Sequence, residues 1–293
     1  MTDKETVLTI AIITYNRPKE LKRAIDSCNN INFLYEILVW DNHSNDSNAE
    51  INKEVCKQNE KAIKYFYSNV NLGVAGGRNQ LWKISRGKFV FFLDDDAVVI
   101  TDYFFEKLIE FMKNNKKVGA ASVDLQEPAT DSHHNCKIRH HNGRGYDNTL
   151  GFVGGAHVIR KKAYPMDILY PSRLMFGGEE LYGSLVLWNE QYEIVEVTDL
   201  RVNHMPTAQN RIVNKERDLN FLANSYLVKT MLYPRYIHVL VFVLFLLRLA
   251  KNKLSYNDAM RLVKTRGTER LDYKISRKTL YMLIKKFGLF SII

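Results

Sequence analysis

A wholly apolar run that ends in three consecutive carboxylates constrains this chain more than any other feature. The residues from Phe89 to Leu93 have the length and the aromatic and β-branched content of a strand buried on both faces. Asp94, Asp95 and Asp96 follow without a spacer. The ligand crevice of an open α/β sheet lies at the carboxyl ends of its strands, so we expect the acids there. Asp94 and Asp96 project to one side of an extended chain and could share Mn²⁺ or Mg²⁺; a solvated acidic turn is the alternative.

Further apolar runs alternate with helix-spaced stripes and indicate an α/β fold. Strands are predicted over residues 7–14, 35–40 and 63–67, with helices from Pro18 and within 49–62. This alternation predicts a mostly parallel sheet with right-handed crossovers, flanked by helices. Later predicted elements are a helix capped by Thr101-Asp102, strands over 118–125, 148–160 and 194–197, and a helix opened by Glu179-Glu180.

Three glycines, beginning at Gly73, precede a helix that is predicted to open at Arg78 and Asn79 and to close at Gly87. Glycines let a backbone approach a ligand closely, and a helix amino terminus with an arginine favours a diphosphate. The spacing is neither a dinucleotide fingerprint nor a P-loop. A surface loop without a ligand is the alternative.

The second half of the chain offers a general base and a further metal ligand. Glu179 and Glu180 either benefit only from the helix dipole or act as a base beside the metal. His204 follows at a short distance and is a plausible third ligand, although a lone histidine is usually structural. Gly154 and Gly155 interrupt a predicted strand, which marks a bulge or the close approach of a ligand.

Residues 126–149 break the alternation of strands and helices. Their histidines and Cys136 resemble metal ligands by composition, but no zinc spacing is clean. We therefore favour a variable surface loop or lid.

The basic residues are concentrated in the last quarter of the chain. Residues 1–210 carry 25 Lys and Arg against 27 Asp and Glu, whereas residues 211–293 carry 17 against 5. We divide the chain into an α/β domain over 1–215 and a basic helical region over 216–293. Such asymmetry indicates a polyanion or an anionic membrane surface as a partner.

An apolar run of nine residues, 239–247, lies within this basic region. It is shorter than the roughly 20 residues of a spanning helix. The run either packs on the α/β domain or lies in a membrane interface, and the cations that follow it, together with the basic and apolar segment 278–287, favour the interface. Nucleic-acid binding is disfavoured, because no reader motif is present.

Cysteine usage and the amino end predict a cytoplasmic protein. Cys28, Cys56 and Cys136 are too few and scattered for a disulfide framework, and the polar residues 1–5 predict no signal peptide. With the basic region, this predicts peripheral attachment to the inner face of the cell membrane.

Several short motifs occur in an order that resembles family 2 glycosyltransferases with the GT-A fold, of the bacterial cell-surface glycan type. The resemblance covers roughly residues 7–210. It implies an inverting transferase that moves a sugar from a nucleoside diphosphate sugar, with a UDP-sugar as the favoured donor, to a hydroxyl of a glycan or lipid-linked acceptor, with Mn²⁺ or Mg²⁺. The motifs are Thr14-Tyr15-Asn16-Arg17, Asp41-Asn42, Asn71-Leu72-Gly73, Ala75-Gly76-Gly77-Arg78-Asn79, Asp94-Asp95-Asp96, Gly154-Gly155, Gly178-Glu179-Glu180 and Val202-Asn203-His204.

The resemblance also assigns roles to residues. It implies Asp94, Asp96 and His204 as metal ligands, with Asp96 the stronger direct ligand. The family's acidic pair is usually Glu-Asp with the second residue as base, so Glu180 is favoured over Glu179 here. Gly154, Gly155 and Gly178 would border the donor and acceptor sugars. The implied nucleotide site comprises Thr14, Tyr15, Arg17, Asp41 (at the uracil-like base), Asn71, Gly73, Arg78, Asn79, Asp94 and Asp95.

Two other functions compete with sugar transfer. A GT-A-like protein could bind a nucleotide sugar without transferring it, but a decayed site should have lost some of Asp94, Asp96, Glu180 and His204. A sugar nucleotidyltransferase would need a basic glycine-rich loop after the first strand, where this chain has Thr14-Tyr15-Asn16-Arg17.

Overall fold

The apolar runs form one mixed sheet with helices on both faces. The computed structural model describes residues 6–59, 61–141, 143–144, 146–206, 214–267 and 273–293; the polar residues 1–5 lie outside this part. The strands are β1 Leu8–Thr14, β2 Tyr35–Asp41, β3 Ile63–Tyr67, β4 Phe89–Asp94, β5 Ala97–Val99, β6 Val118–Glu127, β7 Ser132–His133, β8 Arg139–His141, β9 Asp147–Thr149, β10 Ala156–Arg160 and β11 Glu193–His204. The α-helices are α1 Pro18–Ser27, α2 Asp46–Gln58, α3 Gly73–Ile84, α4 Phe104–Asn114, α5 Glu179–Asn189, α6 Asn214–Leu232, α7 His238–Lys251, α8 Tyr256–Arg266, α9 Arg277–Phe287 and α10 Leu289–Ile292.

The order of strands across the sheet is β3-β2-β1-β4-β10-β6-β11-β9-β8. The first four are parallel, β10 runs antiparallel between β4 and β6, and β6 and β11 are again parallel. One core cluster includes Ile10, Ile37 and Phe91 from the central strands, with Leu21 of α1 and Leu108 of α4. The predicted mostly parallel α/β architecture is therefore confirmed, with an antiparallel strand inserted at its centre.

Two predicted strands have different extents. The run predicted over 148–160 divides into β9 and β10, because the residues between them, including Gly154 and Gly155, leave the ladder. The strand predicted over 194–197 is longer, since β11 continues to His204 past a register shift between Val197 and Arg201.

The glycine-rich segment is part of a helix, and the predicted helix start at Arg78 is wrong. Helix α3 begins at Gly73, whose φ is +68°. A Cβ at this position would lie 2.7 Å from the carbonyl oxygen of Met175, and the amide of Val74 donates to that oxygen at 2.7 Å. Gly73 therefore allows close packing against the segment before α5.

The predicted cap of α4 is also wrong. The helix begins at Phe104 after Tyr103, which has a left-handed conformation, and Tyr103 makes no side-chain capping hydrogen bond. The helical spacing of Phe104, Leu108, Phe111 and Met112 predicts a buried stripe; all but Phe111 are buried, and Phe111 is partly buried.

The C-terminal helices pack on the sheet domain. Val228 and Leu232 of α6 and Leu283 and Phe287 of α9 belong to the core cluster that includes Trp188 of α5. The rings of Trp188 and Phe287 meet edge to face, with centroids 5.7 Å apart. Described residues on both sides of the proposed boundary at 215 and 216 thus share one core.

One face of α7 is apolar and exposed. Val241, Phe245 and Leu249 point inward, whereas Val239 and Leu247 are 75% and 60% exposed. Within the described ranges, no helix is long and apolar enough to cross a membrane.

Candidate active site

The ends of three neighbouring parallel strands form one edge of the site. The register places Thr14 of β1 opposite Asp41 of β2, and Ile13 opposite Asp94 of β4. Thr14 is buried, and Tyr15, just beyond the strand, is 37% exposed. The polar residues that follow separate apolar runs therefore meet in space, as predicted.

The three acids after β4 differ in exposure and are linked to Arg17. The side chain of Asp94 is 41% exposed, whereas those of Asp95 and Asp96 are 8% and 6% exposed. One guanidinium nitrogen of Arg17 lies 3.2 Å from Asp95 and 2.9 Å from Asp96. Burial raises the pKa of Asp95 to about 7, with the charge of Arg17 acting in the opposite direction. Arg17 thus offsets part of the charge of the two inner carboxylates, and Asp94 is the most exposed of the three.

Asp94, Asp96 and His204 form a group that could hold a metal ion. One ligand atom from each lies within 4.8 Å of the others. Strand β11 pairs antiparallel with β5, which follows the acids directly, and this pairing brings His204 to Ala97. His204 Nε2 lies 3.2 Å from Asp96 Oδ1. Two carboxylates and one imidazole are a donor set that suits Mn²⁺.

The contact between Asp96 and His204 shifts both pKa values. Burial pushes the pKa of Asp96 upward, but the hydrogen bond and charge of His204 outweigh it, and the pKa is lowered. Burial pushes the pKa of His204 downward, but the bond to Asp96 outweighs it, and the pKa is raised. Asp96 and His204 therefore form an ion pair. A bound metal ion would take the place of the direct contact between them.

Arg78 connects the two halves of the site. It lies in the second turn of α3 and is 3% exposed. One guanidinium nitrogen is 3.1 Å from Asp94 Oδ1 and donates to the carbonyl of Gly154 at 2.9 Å. The other lies 3.5 Å from Glu179 and 3.7 Å from Glu180.

The acidic pair opens α5 after two glycines with positive φ, Gly177 at +80° and Gly178 at +91°. The side chain of Glu179 is 2% exposed and that of Glu180 is 22% exposed. A Cβ at Gly154 would lie 2.1 Å from Glu180 Oε1. The absence of a side chain at Gly154 therefore leaves room for the Glu180 carboxylate.

Burial raises the pKa of both glutamates. Burial and the neighbouring Glu180 raise the pKa of Glu179 to about 8, with Arg78 opposing them. Burial likewise raises the pKa of Glu180, again opposed by Arg78. Carboxyl groups with raised pKa values are suited to proton transfer near neutral pH.

The Asn71 and Gly73 turn is held by Asn42. Asn42 Nδ2 donates to Asn71 Oδ1 at 3.0 Å and to the Gly73 carbonyl at 3.1 Å, and its Oδ1 accepts from the amide of Leu72. The sequence places Asn42 next to Asp41 in a strand-end motif, but its bonding across the crevice edge depends on tertiary contacts.

Two predicted nucleotide ligands lie beneath the crevice. Asp41 is fully buried and accepts hydrogen bonds from the Ser44 amide, Asn52 Nδ2 and the Tyr65 hydroxyl, each at 2.8 Å. Asn79 exchanges two hydrogen bonds with the backbone of Tyr170. Both side chains thus bond to other groups of the protein, and their contact with a nucleotide stays a prediction.

Asn224 supports the loop before the acidic pair and is not among the site residues predicted from the sequence. It lies on α6, is fully buried, and donates to the carbonyls of Leu174, Phe176 and Gly177 at 2.6–3.0 Å. An asparagine on the apolar face of a predicted helix is the signal that could have identified it.

The search for related sequences identifies the family. The profile described as Glycosyl transferase family 2 matches residues 9–165, which is more than half of the 293 residues. The chain therefore belongs to glycosyl transferase family 2.

Individual relatives agree with this assignment. Over 96 residues the chain is 36% identical to the GalNAc(5)-diNAcBac-PP-undecaprenol beta-1,3-glucosyltransferase of Campylobacter jejuni, which covers 32% of this chain and 31% of that protein. GalNAc-T7, solved with UDP, GalNAc and Mn²⁺, superposes with a TM-score of 0.65 at 14% identity, covering 98% of this chain and 59% of that chain. The mannosyltransferase PcManGT from Pyrobaculum calidifontis, in complex with GDP-Man and Mn²⁺, gives 0.62 at 13% identity, covering 97% and 80%. These likenesses confirm the GT-A fold class.

Proposed function

We propose that this protein is an inverting glycosyltransferase that moves a sugar from a nucleoside diphosphate sugar, with a UDP-sugar as the favoured donor, to a hydroxyl group of a glycan or lipid-linked acceptor. The observation that carries the proposal is the position of Arg78, which contacts Asp94 on one side and the Glu179 and Glu180 pair on the other. A group suited to a divalent cation and a group suited to proton transfer therefore flank one crevice. The ligands of the structural neighbours, UDP with Mn²⁺ and GDP-Man with Mn²⁺, support a nucleotide donor.

The charges of the crevice favour a divalent cation. Arg17 lies between Asp95 and Asp96, and Arg78 contacts Asp94. Arg78 also contacts Glu179 and Glu180, so five carboxyl groups of the site share two guanidinium groups. Asp94, Asp96 and His204 would hold Mn²⁺ or Mg²⁺, which when bound stabilises the negative charge of the departing nucleoside diphosphate. Asp94 has the exposure that this role requires.

Exposure favours Glu180 as the general base. A base must reach the acceptor hydroxyl within hydrogen-bonding distance, and the Glu180 side chain opens to the crevice whereas Glu179 is almost fully buried. Glu180 would accept the hydroxyl proton as the oxygen attacks the anomeric carbon from the face opposite the diphosphate. Attack from that face inverts the configuration. Glu179 would hold Arg78 in position.

Matched variants of the acidic pair test the function. With a panel of nucleotide sugars and Mn²⁺, the wild type should transfer or hydrolyse a donor, and excess chelator should abolish turnover. Glu180→Gln should bind UDP and Mn²⁺ normally but turn over roughly 100-fold or more slowly. If the large loss occurs in Glu179→Gln instead, the roles are reversed, and full activity in chelator would refute the metal requirement.

We also propose that the C-terminal helices attach the protein to an anionic membrane surface on the cytoplasmic side. The support is the exposed apolar face of α7, with Phe290 of α10 at 74% exposure, in the basic region of the chain. Apolar side chains surrounded by cations are the pattern of an interfacial helix. Such attachment would hold the crevice near a lipid-linked acceptor.

A further inference from the structure

A second group of metal-ligand side chains lies beside the proposed nucleotide site. Glu127, His134 and His204 each offer one ligand atom, and these atoms lie within 4.8 Å of one another. Two of the three come from the segment over 126–149, which the sequence predicts as a variable loop.

The sheet itself brings these three residues together. Strand β6 pairs antiparallel with the short β7 and parallel with β11. Glu127 is the last residue of β6 and His204 the last of β11, so the two lie at the same end of neighbouring strands. The amide of His134 donates to the carbonyl of Leu125 at 2.7 Å, which folds the histidine back over β6. The group is therefore positioned by backbone hydrogen bonds.

The ligand atoms of these three side chains lie close enough together to bind one cation. His134 Nε2 lies 2.8 Å from Glu127 Oε2, and the rings of His134 and His204 are perpendicular, with centroids 5.6 Å apart. His204 Nδ1 is buried and has no hydrogen-bond partner among the residues that the structure describes. Buried polar atoms are rarely left unpaired without a functional reason.

We propose that Glu127, His134 and His204 form a Zn²⁺ site, distinct in chemistry from the group of Asp94, Asp96 and His204. Two imidazoles and one carboxylate are a set that holds zinc with a fourth position open, at bond lengths of about 2.0–2.2 Å. His134 is exposed, so water could reach the group and supply the fourth ligand. The neighbouring group, with two carboxylates and one imidazole, is harder and is suited to Mn²⁺ or Mg²⁺.

The two groups share His204, so they exclude one another. A neutral imidazole has one nitrogen lone pair to give, because its other nitrogen carries the proton. Zn²⁺ held by Glu127 and His134 would therefore withdraw His204 from Asp96. This consequence rests on the proposed function, and it makes zinc an inhibitor of Mn²⁺-dependent donor binding.

Zinc titration of the nucleotide-free protein tests the site independently of catalysis. Isothermal titration with Zn²⁺ alone should give about one tight site in the wild type, and His134→Ala should bind about tenfold or more weakly. His133→Ala is the matched control, since His133 is the adjacent histidine but bonds Asp124 at 2.8 Å instead. Equal zinc affinity in the wild type and His134→Ala overturns the site.

A second measurement tests the effect of zinc on UDP binding separately from zinc binding itself. UDP affinity in Mn²⁺ should fall about tenfold when Zn²⁺ is added to the wild type. In His134→Ala the same addition of Zn²⁺ should leave UDP affinity unchanged. Zinc binding that requires His134 but leaves UDP affinity unaffected overturns the exclusion while keeping the site. Failure of UDP to bind with Mn²⁺ alone would count against the proposed function and leave the zinc titration intact.

Discussion

At the scale of single residues, Arg78 is a permanently charged group in a nearly closed environment. Its planar guanidinium offers donors in a fixed fork, which matches acceptors on two sides at once. Asp94 and Gly154 lie on one side, and Glu179 and Glu180 on the other. A lysine in the same position would present a point charge to only part of this set.

We expect Arg78→Lys to lower the free energy of unfolding by about 2 kcal/mol, because buried acceptors would lose their donors. UDP affinity in Mn²⁺ should fall as well, since Asp94 would lose its fixed position. Thermal unfolding and titration with UDP measure the two effects. Arg261→Lys is the control, because Arg261 lies 3.8 Å from Asp258 at the surface of α8 and its side chain is 77% exposed; its change should stay within about 0.5 kcal/mol. An unaltered Arg78→Lys protein would contradict the bridging role.

The raised pKa of Glu180 predicts how turnover depends on pH. A general base acts in its deprotonated form, so turnover should rise with pH through the pKa of Glu180. Burial places that pKa above the ordinary glutamate value of about 4.3. The increase in turnover should therefore occur at a pH above that value. Turnover at saturating donor and Mn²⁺ between pH 4.5 and 8.5 measures it. A rate that is already constant at pH 4.5 would show that Glu180 is not the titrating base.

At the scale of elements, β1, β2 and β4 could be predicted because each is an apolar run that ends in polar residues. That pattern alone places Thr14, Asp41 and Asp94 at one edge of a parallel sheet. The start of α3 could not be predicted in the same way. Glycines have low helix propensity, and Gly73 enters a helix here because its backbone packs against Met175, a contact that local sequence does not encode.

The role of Asn224 on helix α6 likewise depends on tertiary contacts that local sequence does not encode, and it leads to a prediction. Asn224→Ala removes the donors to three carbonyls of the loop before Glu180, so we expect a loss of about 2–3 kcal/mol in stability and a lower turnover at unchanged UDP affinity. Chemical unfolding and the split between kcat and KM measure these effects.

Asn220→Ala is the matched control for this prediction. Arg266 donates hydrogen bonds to the side-chain oxygens of both Asn224 and Asn220, which lies one turn earlier on α6. The side-chain amide of Asn220, however, donates to the carbonyl of Glu216 within the same helix. It should leave turnover nearly unchanged. Equal losses in both variants would assign the effect to Arg266 and not to the loop.

At the scale of the whole molecule, charge and exposed apolar surface coincide in the C-terminal helices. Removing these helices would uncover the core around Trp188 and Phe287, so attachment is better tested by substitutions at the surface. We expect Val239→Ser with Leu247→Ser to weaken binding to anionic vesicles about tenfold or more, because two exposed apolar side chains would no longer enter the lipid. Co-sedimentation at increasing salt measures it.

Ile51→Ser is the control for the membrane prediction. Ile51 is 47% exposed on α2, outside the C-terminal region, and should not affect vesicle binding. Binding of the wild type should weaken with added salt and with neutral lipid, because cations contribute about 1 kcal/mol each near an anionic leaflet. If the wild type bound anionic and neutral vesicles equally well, the proposed electrostatic attachment would be contradicted.

Helix α6 links the loop before Glu180 to α7. Asn224 supports the loop, and on the same helix Tyr226 stacks on Phe245 of α7 with ring centroids 4.5 Å apart. A lipid surface that held α7 in place would therefore also restrain α6, and through Asn224 the loop that precedes the Glu180 carboxylate. For one water-soluble acceptor, turnover would then be faster with vesicles present than without them, which is the behaviour of an enzyme with interfacial activation.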